Sequence, residues 1–216
     1  MRVPEHPEEL DEEIARLIGR PPPLLVVLSG PSGVGKDAVM GRMKERGIPL
    51  HYTVTATTRP RRPGEVHGRD YFFLSTDEFQ RLIAQGELLE WALVYGDYKG
   101  IPKEQVRQAL ARNEDVIMRI DVQGAGTIRR LAPEALLIFL APPSMDELAR
   151  RLRQRRTESQ EALERRLEAA REEMRALSIF DYLVVNYEGR LDETVDRILA
   201  ILQAEKRRVH PRRVVL

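Results

Sequence analysis

The chain has 216 residues, with 35 Lys plus Arg against 34 Asp plus Glu, a formal net charge of +1 and no cysteine. That length suits one large domain or one domain with an insert, and it is enough to form a core without covalent staples. The missing thiols exclude a disulfide scaffold, a cysteine zinc site and thiol catalysis, no apolar run approaches the ~20 residues of a membrane span, and the balanced charge excludes a strongly basic nucleic-acid coat.

Residues 1–23 read as an N-terminal extension. Glu5, Glu8, Glu9, Asp11, Glu12 and Glu13 crowd its start. Neither a secretory signal nor a transit peptide fits that charge, so a cytoplasmic location is expected. Leu10, Ile14, Leu17 and Ile18 recur at helical spacing, and Pro21-Pro22-Pro23 then marks the edge of the main domain. Leu24 to Leu28 is a short continuous apolar run, as expected of a strand buried on both faces, and it opens a core segment over 24–54. Gly30-Pro31-Ser32-Gly33-Val34-Gly35-Lys36 follows it directly and matches the G-x-x-x-x-G-K phosphate loop. Glycines there let backbone amides converge on nucleotide phosphates, the lysine reaches the outer phosphates, and the helix dipole adds positive potential. The position after the lysine is normally a hydroxyl that touches Mg²⁺. Here it is Asp37, read either as a replacement Mg²⁺ ligand or as a helix-start residue facing solvent.

Residues 55–104 differ from their surroundings. They are rich in Thr, Arg, Gly and Tyr, and are expected to form short strands and loops inserted into the parallel domain. Thr57-Thr58-Arg59-Pro60-Arg61-Arg62-Pro63-Gly64-Glu65 sets three arginines within four residues, on a stretch stiffened by proline, and Gly68-Arg69-Asp70-Tyr71 follows. Guanidinium forks beside a tyrosine hydroxyl suit a bound phosphate. The core resumes over 105–145 and 167–209, with strands expected at Val116 to Ile120, Ala135 to Leu140 and Tyr182 to Val185. Helices are expected over Lys103 to Arg112, from Ser144 through the arginine-rich stretch, over Glu161 to Leu177, and over Leu191 to Lys206. Strands alternating with helices imply a parallel sheet covered on both faces, an α/β class. Ser75 with Glu78, Ser144 with Glu147, and Thr157 with Gln160 fit the capping box. Residues 210–216 look like a loose basic tail.

By this point the sequence resembles the guanylate kinase family. The phosphate loop, the two arginine-bearing runs above, Leu89-Glu90-Trp91-Ala92, Ile120-Asp121-Val122-Gln123-Gly124 and Leu140-Ala141-Pro142-Pro143-Ser144 carry the resemblance, over about Leu24 to Lys206. It implies a P-loop-type parallel core, a GMP-binding insert and a helical lid over 146–166. It also implies ATP as phosphoryl donor with Mg²⁺, GMP as acceptor, and neither nucleic acid nor membrane as partner. The sequence sets no oligomeric state. The resemblance assigns Arg59, Arg62 and Tyr71 to the GMP phosphate, and Thr55, Glu90 and Asp121 to guanine or its surroundings. Arg151, Arg155 and Arg166 are assigned to the phosphates from lid and core, and Asn186 to the ATP base. Lys36, Arg59, Arg151, Arg155 and Arg166 are thus the expected catalytic set.

The chemistry of Glu90 argues the same way. Guanine presents adjacent N1–H and 2-amino donors that one carboxylate can accept, whereas adenine offers an acceptor at N1 and would leave it unpaired. Three positions depart from the family pattern. Lys99 stands where a phosphate-binding tyrosine is usual, Ile101 where a hydroxyl is usual, and Arg119 where an aspartate is usual. The rival readings are a non-catalytic binding module of the same shape, a kinase for another phosphorylated acceptor, and a nucleic-acid-stimulated ATPase. The retained Gly35, Lys36, Arg151 and Arg155 argue against the first, and Glu90 with Asp121 against the second. The third lacks an aromatic platform.

Overall fold

Strand β1 (Leu25–Ser29) is buried along its whole length, as a strand covered on both faces must be. The computed structural model describes residues 21–94, 96–154 and 160–216, with Ala15 and Gly19 before them. After β1 come α1 (Lys36–Glu45), β2 (His51–Tyr52), β3 (Ala56–Thr57), β4 (Phe72–Phe73), α2 (Thr76–Ala84), β5 (Leu88–Val94) and β6 (Asp97–Pro102). Then follow α3 (Lys103–Ala111), β7 (Val116–Arg119), α4 (Val122–Leu131), β8 (Leu136–Ala141), α5 (Met145–Gln154) and α6 (Gln160–Arg175). A 3₁₀ turn (Ala176–Ile179), β9 (Tyr182–Val185) and α7 (Leu191–Glu205) complete the described elements.

Five strands form a wholly parallel sheet in the order β2-β7-β1-β8-β9, with β1 central. Alternate residues of β1 feed opposite layers. Val26 and Leu28 pack with Val39, Met43, Val195 and Ile198 of α1 and α7. Leu25 and Val27 pack with Val106, Ala109, Ala125 and Ile128 of α3 and α4. The pleat alone sends consecutive side chains to the two faces, so one apolar run anchors helices on both. The second sheet, ordered β4-β3-β6-β5, is mixed and lies within the insert. Its own core is small: Ala56, Phe79 and Leu88 are its buried residues. Leu89 and Ile101 instead join the layer under α3 and α4, rooting β5 and β6 in the main domain.

Two expectations need correction here. The tail is docked, not loose: Arg212 is 8% exposed, and its guanidinium donates to Glu205 at 2.7 Å and to the Ala135 carbonyl at 3.3 Å. Val214 and Leu216 pack against the core beyond it. The second is α4, where no helix was expected; the insert helix α2 starts at the expected Ser75 box. Its capping box is complete, since Ser75 accepts from the Glu78 amide at 3.2 Å and Glu78 accepts from the Ser75 amide at 2.7 Å. At Ser144 only half of the expected box forms, because the Glu147 carboxylate pairs with Arg150 and Arg151. The Thr157–Gln160 box falls on residues 155–159, outside the described ones.

Candidate active site

The phosphate loop occupies the turn between β1 and α1, at the carboxyl edge of the parallel sheet, where ligands bind in open α/β sheets. Its glycines are needed sterically. Gly30 has φ 139°, and a Cβ there would strike the Leu140 carbonyl. Gly35 has φ 104°, and a Cβ there would lie 2.5 Å from the Asn186 amide nitrogen. Lys36 Nζ folds back onto the carbonyls of Gly30 and of Pro31, the latter at 3.1 Å. Burial lowers its pKa to about 8, opposed by the negative charges of Glu173 and Asp121 and assisted by the positive charge of Arg119. Glu173, on α6, received no role from its sequence pattern. Burial raises its carboxyl above the usual range, while the Lys36 charge and the Ser32 backbone draw it back. One of its oxygens is buried without a hydrogen-bond partner among the described residues. No motif marks that position; only the fold brings it to the loop.

Asn186 is 7% exposed, donates to the Val34 carbonyl at 2.8 Å and accepts from the Thr194 hydroxyl at 3.0 Å. Its amide therefore braces the back of the loop, beside the place where the ATP assignment puts it. Arg151 joins the same brace, donating to Val34 at 3.3 Å and to the Asn186 carbonyl at 2.9 Å while Glu147 holds it at 2.8 Å. Arg166 reaches the Ser32 hydroxyl at 2.8 Å from α6. Two of the three expected lid and core arginines therefore meet at the loop; Arg155 lies outside the described residues.

Asp37 pairs with Arg119, the last residue of β7. Mg²⁺ bound with a nucleotide takes one or two free carboxylates alongside phosphate oxygens and waters. Here Asp37 is engaged by a guanidinium, while Glu173 and Asp121 bear on the loop lysine. Among the described residues no group of three or more His, Asp or Glu gathers as a metal site. The other reading of Asp37, a solvent-facing residue at the helix start, agrees with its 77% exposure in the first turn of α1.

On the acceptor side, Glu90 of β5 and Asp121 share a cavity of about 360 Å³ with Trp91, Gly124 and Thr127. Asp121 is the N-cap of α4 and accepts the Gly124 amide at 2.7 Å. Burial, with the Asp121 charge behind it, raises the Glu90 carboxyl to about 7. A second cavity, of about 240 Å³, lies between loop and insert and is lined by Asp37, Thr55, Tyr71 and Arg119 among others. Arg59 is held bidentately by Glu65, at 2.7 and 3.0 Å, and its guanidinium lies 5.2 Å from the Tyr71 ring centre. Glu65 also accepts the Arg62 amide at 2.8 Å, so one carboxylate folds the whole arginine run. Lys99 sits opposite Thr57 in the insert sheet and lines neither cavity. Ile101 is 1% exposed in the core, so its lost hydroxyl has become core packing.

A family model described as guanylate kinase matches residues 23–205. The guanylate kinase of Gloeobacter violaceus is 51% identical over 182 residues, covering 84% of this chain and 89% of that one. The protein called guanylate kinase 2, chloroplastic/mitochondrial, of Oryza sativa is 49% identical over 195 residues, covering 90% and 68% respectively. The crystal structure of guanylate kinase from Anaplasma phagocytophilum matches with a TM-score of 0.68 and 34% identity, over 88% of this chain and 89% of that one. With the sheet order, the phosphate loop and these matches in agreement, the chain belongs to the guanylate kinase family, a group of nucleoside monophosphate kinases.

Proposed function

We propose that the chain transfers the γ-phosphoryl group of ATP reversibly to GMP, and to dGMP, giving ADP and GDP or dGDP. The observation that carries this reading is the Glu90–Asp121 pair, held in one cavity at the edge of the sheet that bears the phosphate loop. Two carboxyls there match the donor edge of guanine and mismatch adenine.

A GMP phosphate oxygen attacks the γ-phosphorus, the bond to the β–γ bridging oxygen breaks, and ADP leaves with that electron pair. The attacking oxygen is already ionised, so positioning and charge neutralisation are what the protein must supply. Lys36, Arg151 and Arg166 face the donor. Arg59, Arg62 and Tyr71 take the acceptor phosphate, with Thr55, Glu90 and Asp121 at the base and Lys99 as an outlying cation. Arg155 belongs to the same reading through the lid at 146–166, whose closure excludes water. Mg²⁺ would accompany ATP and neutralise phosphate charge, with Asp37 the candidate side chain beside it. The partners are small nucleotides, not nucleic acid. Among the described residues no helix is long and apolar enough to cross a membrane. A cytoplasmic location goes with this reading, although an organelle like those named for the Oryza relative would also supply both nucleotides.

The test is ADP production with ATP, Mg²⁺ and each of GMP, dGMP, AMP, CMP and UMP. GMP and dGMP are expected to turn over alone. Turnover with AMP comparable to GMP would overturn the Glu90 assignment, and no turnover with any acceptor would favour a binding module.

A further inference from the structure

We propose that Arg119 is a catalytic residue whose guanidinium contacts the phosphoryl group in transit between ATP and GMP, and that Asp37 is the positioning residue that aims it. The inference rests on the phosphotransfer reading above.

Position comes first. Arg119 ends β7 and lies in register with Leu28 of β1, one residue before the strand gives way to the loop. It therefore projects from the edge of the sheet where the donor phosphates arrive. It also lines the cavity whose insert side is formed by Thr55 and Tyr71 and whose loop side is formed by Asp37. One guanidinium thus borders the donor and acceptor halves of the site at once. Its charge already bears on Lys36.

Capacity comes second. Among the described residues the ion-pair partner of Arg119 is Asp37. A guanidinium has five N–H donors in a planar fork, so one carboxylate leaves donors for a ligand. The Arg119 side chain is 37% exposed, at a half-open position. Asp37, 77% exposed at the first turn of α1, offsets the repulsion between Arg119 and Lys36. Incoming phosphates bring negative charge to the same point. As the P–O bond to the bridging oxygen breaks and the new bond to GMP forms, charge spreads over three equatorial oxygens, and a planar donor fork between the two nucleotides can follow it. In this arrangement the carboxylate next to the loop lysine serves an arginine.

The experiment uses the full chain, comparing wild type with Arg119→Ala, Arg119→Lys and Asp37→Asn. It measures kcat, both KM values, ATP affinity by titration, melting temperature, and rescue by added guanidinium. Arg119→Ala should lose about 10²–10³-fold in kcat, with ATP affinity changed less than about 3-fold. Free guanidinium should restore part of that loss in Arg119→Ala and none in wild type. Arg119→Lys keeps the charge without the fork and should lose about 10-fold or more in kcat. Asp37→Asn should lose about 10-fold in kcat, unaffected by guanidinium.

Wild-type kcat in either Arg119 variant, to within about 2-fold, would overturn the proposal. So would a loss that tracks weakened ATP binding and resists guanidinium, the mark of a residue that only ties α1 to β7. If Arg119→Ala does not fold, Arg119→Lys decides alone by the same kcat criterion. Failure of wild type to phosphorylate GMP would instead sink the underlying reading, so the two failures are told apart.

Discussion

The donor and acceptor halves of this molecule are built to different standards. Behind the phosphate loop every polar group named above has a fixed use: Asn186 ties Val34 to Thr194, and Arg151 ties Val34 to the Asn186 carbonyl. A buried hydrogen-bonded network of this kind favours one geometry. The insert's own cluster has three buried apolar residues, and its arginine run is folded by one half-buried carboxylate, Glu65. A run held by one ion pair over a small core has few buried contacts to lose before it opens. The molecule therefore presents a preformed donor site to ATP and a loosely supported clamp to GMP. Binding GMP can reorganise the insert at small cost while the loop stays fixed.

The strongest way to break that comparison is at Lys36. If the donor site is preformed around it, Lys36→Ala should lower kcat/KM by about 10²–10³-fold and leave the GMP half intact. GMP affinity, followed by titration without ATP, should stay within about 3-fold of wild type. Equal loss of GMP affinity would show that the two halves are one cooperative unit. A pH effect belongs to the same residue. Its pKa of about 8 means that the free loop loses a positive charge above that pH, so ATP affinity should fall on the alkaline side.

Glu90 is next in size. Removing its charge should lower kcat/KM for GMP by about 10–100-fold, the worth of a charge-assisted hydrogen-bond pair, with ATP affinity unchanged. Because burial raises Glu90 to about 7, the carboxylate gains a proton below that pH, and GMP kcat/KM should fall on the acid side. The stability effect runs the other way. From the ordinary carboxylate range up to about 7, the folded chain keeps a proton the unfolded chain has released, so this group makes folding less favourable as pH rises through that window. Glu90→Gln should therefore melt at a higher temperature than wild type at pH 8. A variant that melts lower there would show that the carboxylate is stabilising, and would remove the burial argument with it.

The same contrast sets how much was legible beforehand. The parallel core could be read because buried strands write continuous apolar runs and the loop follows one of them; Tyr182–Val185 ends where the pattern ends. Helix α4 was not anticipated, since Gly124 and Gly126 depress helix propensity while the Asp121 cap and burial of Ile128 overcome it. In the site, local motifs found the loop, Glu90 and the arginine run. The supporting partners were invisible because each lies far along the chain from what it holds. Glu173 reaches Ser32, Arg119 reaches Asp37, and Gln105 pins both backbone groups of Val54 at 2.8 Å. Asn186 was noticed for the nucleotide alone; its bracing bonds to Val34 and Thr194 could not be read from a strand-end amide.

The smallest effect is the sharpest test of whether the insert is separable. Ser75 caps α2 on the exposed side of the insert, far from either nucleotide's reacting atoms in the reading above. Ser75→Ala removes the hydroxyl that accepts the Glu78 amide, at a cost of about 1 kcal/mol. If the insert opens as its own unit, that cost appears locally: amide exchange over Thr76–Ala84 speeds by about 5-fold, while exchange in β1 and β8 keeps its wild-type rate. The GMP KM should rise by less than about 2-fold and ATP affinity should not move. Exchange in β1 that speeds in step with α2 would mean that insert and core unfold together. The roots at Leu89 and Ile101 would then transmit stability between them, and the donor site would owe part of its rigidity to the clamp it faces.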